Sequence, residues 1–513
     1  MNKILMTITL SFFVLIIPFA TSSFGAVIIV PDDQATIQAG IDAASNGDTV
    51  LVKDGTYLLT AAIDFKGKAI TVASQNGAGS TILDGQDTTR IAYFHTSEGN
   101  SSVLSGFTIQ NGYSDQGGGI YLDNSSPTIS NCTIRDNTVN VDPNSTSYGG
   151  GIASEDSSPI ITNCNIQGNS ALAGGYGEAH GGGIYVNGGS PVITNSIVSG
   201  NHAWAGGKGV GGGIASDSSS ISITNTDIDG NSAAQGFYLN TGGGLYFANS
   251  TPLLINCTIS YNESEAGAGI YFDQSSDFSQ LVNCTIARNL ASDSGGGIYA
   301  NSTSPKIVNS ILWEDTPGEV HQNGGTTTIT YSDVHGGYTG TGNINASPAF
   351  VNIAAPDLHI TAASPCINAG SNSAPYLPVH DKDGNARIIG TTVDMGAYEY
   401  SGTEDTTLYL RGGRFTVQVD WVAPSGSSGK GVAVALTADS GYFWFFENTN
   451  MELLVKVHDG CGVNNKWWFF YGALTDVEYT ITVTDTQTST VKTYPGFQHI
   501  QTSSNDINAF ACP

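Results

Sequence analysis

The chain has 513 residues, 65 of them glycine, and although 40% are hydrophobic only 12% are charged. It is too apolar to be disordered and too rich in glycine for ordinary globular domains, so backbone geometry and small polar side chains carry the design. Seventeen Lys and Arg against 44 Asp and Glu give a net charge of −27, which argues against nucleic acid or an anionic membrane as partner and also suits solubility after export.

In chain order, Lys3 precedes a nearly unbroken apolar run from Ile4 to Ala20 and a small, polar exit around Ser23 to Ala26. Residues 1–25 read as a signal peptide, removed on export. A transmembrane anchor is the competing reading, but the run is short and no second apolar stretch of spanning length follows. The expected location is therefore secreted or cell-surface, with no integral membrane segment after processing.

From residue 26 to 400 the sequence repeats. Gly-Gly-Gly-Ile or a close variant begins at Gly117, Gly149, Gly181, Gly211, Gly242, Gly267 and Gly295, at intervals of 25 to 32 residues. Such irregular spacing suits stacked coils whose strands are fixed and whose loops vary. A second landmark, Asn-Cys-Thr-Ile and its variants, recurs at Asn131, Asn163, Asn195, Asn225, Asn256, Asn283 and Asn309. These asparagines are expected at corners, where Asn tolerates left-handed backbone and its amide can bond the Asn of the next coil. A third column, Asn137, Asn169, Asn201, Asn231, Asn262 and Asn289, marks a second corner. Alternation between these marks, as in Thr128-Ile129-Ser130, predicts short strands with one face inward. The expectation is an all-β chain whose main part is a parallel β-helix with three strands per coil and about twelve coils. Cys132 and Cys164, like Cys257 and Cys284, stand on adjacent coils, and parallel projection favours buried thiols over disulfides.

Several segments resemble a known group. Ile37-Gln-Ala-Gly-Ile-Asp-Ala-Ala with Gly47-Asp-Thr-Val-Leu-Val and Gly55-Thr-Tyr is similar to the entry of the pectin-lyase-like right-handed β-helix superfamily, where it forms a capping helix. The repeats also resemble those of polymorphic outer-membrane-type bacterial surface proteins. Ser364-Pro-Cys-Ile-Asn-Ala-Gly and Asp394-Met-Gly-Ala-Tyr-Glu-Tyr resemble the segment that closes such helices. The resemblance implies architecture; the superfamily contains lyases, hydrolases and epimerases beside non-enzymatic adhesins.

Candidate function lies in loop length. The segments after Asn137, Asn169, Asn201 and Asn231 hold eleven, eleven, nine and ten residues before the next glycine triplet, whereas the next two hold four and five. Stacking predicts one ridge or cleft carrying Tyr148, Tyr176, His202, Trp204, Phe237 and Tyr238 as glycan contacts, with Glu178, His180 and Lys208 as candidate catalytic groups. Mutual packing of the loop aromatics is the alternative. Asp381, Asp383 and Asn385 have the alternating oxygens of a Ca²⁺ loop, but the remaining ligands of such a loop are missing and a plain turn is the preferred reading.

Beyond residue 401 the repeats stop and period-two strands appear at Phe415–Trp421, Leu453–Val457 and Val477–Val483, predicting a small antiparallel β-sandwich over 401–513. Cys461 and Cys512, its two cysteines, are expected to form a disulfide. The functional expectation is a secreted or surface β-helix scaffold or adhesin associated with a polysaccharide. The alternative is a polysaccharide lyase or related glycan enzyme acting at the ridge.

Overall fold

The structure is a computed structural model describing residues 25–275, 278–354, 357–401, 406–446 and 450–512. The expected signal peptide thus lies, but for Gly25, outside the described residues. No helix among the described residues is long and apolar enough to cross a membrane.

Residues 27–334 wind as a parallel β-solenoid with three main faces of 12, 11 and 10 strands. Its register stacks equivalent residues of successive coils. On the first face Ile129, Ile161, Ile193 and Ile223 are consecutive partners, and on the second Ile134, Ile166, Val198 and Ile228. The third carries the triplet isoleucines Ile120, Ile152, Ile184 and Ile214. All are buried in one continuous core, because period-two alternation sends every second side chain inward. The helix Ile37–Ala43, capped by the Thr36 hydroxyl on Ala39 N at 3.1 Å, covers the first coil with Ile37 and Ile41.

The two asparagine columns do different work. Asn131, Asn163, Asn195, Asn225, Asn256, Asn283 and Asn309 all hold φ between 50° and 54°, turning the corner between the first and second faces. Amide bonds between them are intermittent, joining Asn225 to Asn195, Asn256 to Asn225 and Asn309 to Asn283. The continuous ladder is in the other column. From Asn137 to Asn262 each asparagine donates its backbone N–H and its Nδ2 to the Oδ1 of the next coil's asparagine, and Asn289 donates both to Asp315 Oδ1, all at 2.7–3.1 Å. The second Nδ2 hydrogen reaches back to a carbonyl, as from Asn169 to Ile134 O at 2.9 Å.

These side chains are fully buried, and the glycine triplets explain how they fit. A Cβ on Gly151 would stand 3.1 Å from the Asn169 amide and 2.7 Å from Gly183 O, while Gly149 holds φ 64°. The triplet and the third asparagine column thus form one packed layer.

Residues 344–401 fold back as a strap over the later corners. Asn256 Nδ2 donates to His380 O, Asn283 Nδ2 to Asp394 O, and Asn309 Oδ1 accepts from Ser371 N. Inside the strap the fully buried Arg387 pairs with Glu399 at 3.2 Å. The C-terminal region comprises two five-stranded antiparallel sheets sharing one core, with Phe415, Val417 and Val419 facing Val455, Val457 and Phe469. Cys461 and Cys512 are disulfide-bonded, and Cys132, Cys164, Cys257, Cys284 and Cys366 are buried free thiols. Of the aromatic residues at 442–446 and 467–471, Phe443, Trp444, Phe445, Trp467 and Phe469 are buried.

Two predictions follow from the ladder. Asn201→Ala strands the Asn169 N–H and Nδ2 donors and should destabilise the chain by about 2–4 kcal/mol. Asn163→Gly, which keeps the left-handed corner, should cost less than about 1 kcal/mol; denaturation midpoints of the two variants measure the contrast. At the ladder's end, Asp315 N donates to Glu319 Oε1 at 3.3 Å, and the two buried carboxyl groups meet each other. Burial, then the charge of Asp315, pushes the Glu319 carboxyl up to about 10, and burial also raises Asp315. The folded chain therefore keeps a proton that an unfolded glutamate releases near 4.5, so this contribution to stability declines as pH rises from that value through the folded one. Thermal melting followed from about pH 5 to about pH 9 should fall less steeply in Glu319→Gln than in the parent.

Candidate functional site

The four long segments are not plain loops. Strands Thr138–Val141, Ser170–Ala173, His202–Ala205 and Ser232–Ala234 pair in parallel within a fourth, seven-stranded sheet. Return strands Ser147–Tyr148, Glu178–His180 and Lys208–Val210 form a three-stranded sheet beside it. The expectation of three strands per coil is thereby corrected for these coils. Ala171, Ala173, Ala179, Ala203 and Ala205 fill a narrow secondary core between the two sheets, so the second and third long segments are flaps closed over small residues, with the first and fourth beside them.

The flaps sort the candidate residues into two groups. On the side of the third face, His180 Nε2 lies 3.0 Å from Glu178 Oε2, and Tyr148 is the register partner of His180. The Tyr148 ring packs 4.5 Å from that of Tyr185, and Glu178 stands opposite Lys208 on the next coil. Lys208 Nζ sits over the Tyr246 ring, 5.4 Å from its centre. The His180 hydrogen bond holds the Glu178 carboxyl below the usual range, while burial lowers the Lys208 ammonium against the opposing pull of Asp273 and Glu178. Burial also raises the Tyr185 and Tyr246 phenols, leaving them as proton donors. Burial thus weakens proton binding at Lys208, and the neighbouring carboxylates partly restore it.

On the other side lie His202, Trp204, Tyr176, Phe237 and Tyr238. His202 Nδ1 is 2.8 Å from Ser232 Oγ, and burial lowers its pKa. Tyr176, Trp204, Phe237 and Tyr238 are 66%, 40%, 77% and 59% exposed. Tyr176 and Phe237, two coils apart, approach to 5.6 Å between ring centres.

One feature escaped the sequence reading. The residue after the triplet isoleucine or leucine is tyrosine at Tyr121, Tyr185, Tyr246, Tyr271 and Tyr299, and the third face places these in one column with Tyr93, interrupted by Ala153 and Ala215. Tyr271 and Tyr299 lie 4.7 Å apart and nearly parallel, and Tyr93 and Tyr121 lie 5.3 Å apart. Two residues further on, Asp123, Glu155, Asp217 and Asp273 line the column's edge, where Tyr121 and Tyr246 donate their hydroxyls to Glu155 and Asp273. The repeated Ile-Tyr pair was the available signal.

Asp381, Asp383 and Asn385 lie in the strap, away from the flaps. Asp381 Oδ1 accepts Asp383 N and Asn385 N at 3.0 and 2.8 Å, and its Oδ2 accepts Glu399 N at 2.9 Å. Asp383 Oδ2 bonds His359 Nε2 at 2.7 Å. Burial opposes the His359 charge, but Asp357 and Asp383 outweigh it and raise that pKa to about 10. The carboxylates are thus engaged by backbone amides and an imidazole, an arrangement that builds a turn. Among the described residues the one cluster of metal-ligating type is Asp459, Cys461 and Cys512, whose sulfurs are bonded to each other.

Comparison with known proteins gives the class. A family model described as "Right handed beta helix region" matches residues 27–202 and 161–348, more than half the chain, and the protein belongs to that family. No curated protein matches. Among solved structures, a mutant of the PL6 family alginate lyase AlyGC is 13% identical over 63% of this chain and 53% of its own, with a TM-score of 0.32. The chain thus spans about half the length of that enzyme. A PL6 alginate lyase in complex with a trisaccharide is also 13% identical, over 60% of this chain and 86% of its own, TM-score 0.27. The enzymatically active domain of tailspike protein 2 from bacteriophage CBA120 is 10% identical over 93% and 78%, TM-score 0.36. At these scores no functional argument passes to this chain.

Proposed function

We propose that the protein is an exported scaffold, a rod of about twelve coils with a C-terminal β-sandwich, that binds a polysaccharide along its flaps outside or on the cell. The observation that carries this reading is the exposure of Tyr176, Trp204, Phe237 and Tyr238 on neighbouring long segments. Rings held on rigid, stacked strands offer a sugar chain contacts repeated along its length at little ordering cost. Lyase or related glycan chemistry at Glu178, His180 and Lys208 is the second reading, favoured by the burial that weakens proton binding at Lys208. In it Lys208, in its neutral form, takes the proton beside a sugar carboxylate, the freed electron pair forms a double bond to the adjacent carbon, and the glycosidic oxygen there leaves and takes up a proton, with or without Ca²⁺.

The test incubates purified protein with polyuronates and neutral glycans, with Ca²⁺ or with chelator, and follows unsaturated products, reducing ends and retention of the glycan. The scaffold reading expects retention without turnover. Product formation that disappears in Lys208→Ala or His180→Ala would overturn it in favour of the enzyme.

A further inference from the structure

We infer that Trp204 is the centre of a site for a neutral glycan rather than an acidic one, on the outer surface of the fourth sheet. This rests on the glycan reading above and specifies its ligand class.

The indole divides two open depressions. One, about 360 Å³, is lined by Trp204 with Ser232, Gln235, Asn240, Glu263 and Glu265. The other, about 280 Å³, lies between Trp204 and Asn140, Leu172, Gly174 and Gln235. The register leaves the ring uncovered: its partners on adjacent coils are Leu172 and the much smaller Ala234. Beyond Ala234 the sheet parts, since the strand Ser232–Ala234 pairs with the next through Ser232 and Glu263 alone. His202 supports the ring from within its own strand at 5.0 Å. Gln235 borders both depressions.

The chemistry selects the ligand. An exposed indole suits the C–H face of a sugar ring, and carboxamides, hydroxyls and carboxylates beside it suit sugar hydroxyls. Neither depression is lined by Lys or Arg, and the nearby Lys208 is turned to the Tyr246 ring. A uronate would instead meet Glu263 and Glu265 in the field of a chain of net charge −27.

The probes are cellohexaose, laminarihexaose, mannohexaose and chitohexaose, against hexamers of galacturonate and guluronate, titrated into the full chain by calorimetry and tryptophan fluorescence. At least one neutral hexamer should bind more tightly than either uronate and perturb the fluorescence. Trp204→Ala should weaken it on the order of tenfold or more and Trp204→Phe less, with unchanged melting; Trp468→Phe, in the C-terminal region, should bind as the parent does. Preferential uronate binding, or neutral binding as tight in Trp204→Ala as in the parent, overturns this inference while leaving the polysaccharide reading intact. Binding of none of the six overturns both.

Discussion

The structure depends on the buried ladder of Asn137, Asn169, Asn201, Asn231, Asn262 and Asn289. In a stack of short strands, alternation forbids a slip by one residue, but apolar packing alone resists a slip by two only weakly, because one isoleucine resembles the next. The ladder removes that freedom. Each carboxamide has one place where its donors and acceptor are all met, and a slipped coil would leave several buried polar groups unmatched at once. The triplet glycines are the other half of this layer, since a side chain at Gly151 or Gly183 would occupy the space of the asparagine it faces. Where the column ends, at Asp315, the regular coils soon end too, and the strap takes over the corners of the last coils.

A frame fixed this firmly tolerates variable excursions. The four long segments leave the solenoid directly after consecutive ladder asparagines and return at consecutive glycine triplets, so their strands are registered by the layer beneath them. This places Trp204 between Leu172 and Ala234 and Tyr148 beside His180, although the members of each pair lie about thirty positions apart. The ridge therefore has one side with Glu178, His180 and Lys208 against the tyrosine column and another with the exposed aromatics and depressions lined by no Lys or Arg, and the two sides have different chemistry.

Much of this was legible because stacking converts sequence recurrence into contact. The glycine triplets, both asparagine columns and the strand alternation were visible as repeats. Their roles were harder to assign, because both columns follow a short strand and read alike as corners. What separates them is the contact of Asn169 with Gly151 and of Asn201 with Gly183, which only the closed coil creates. The flap strands were read as loops because alternation in Ser170-Ala-Leu-Ala and His202-Ala-Trp-Ala spans four residues and buries nothing larger than alanine. The tyrosine column was passed over because each Tyr adjoins a core isoleucine or leucine. The strap was legible only as a resemblance to closing segments; its path over the corners was not, since Asn256 and Asn283 bond backbone atoms more than a hundred residues away.

The register itself is the quantity to measure. Thr128 and Lys306 lie on one outward column of the first face, six coils apart, and Gln280 lies one coil nearer. Spin labels on Thr128→Cys with Lys306→Cys should give a narrow distance distribution near about 29 Å, and Thr128→Cys with Gln280→Cys one about 5 Å shorter. Broad distributions, or distances that do not advance by one strand spacing per coil, would contradict the stacked register from which both sides of the ridge are built.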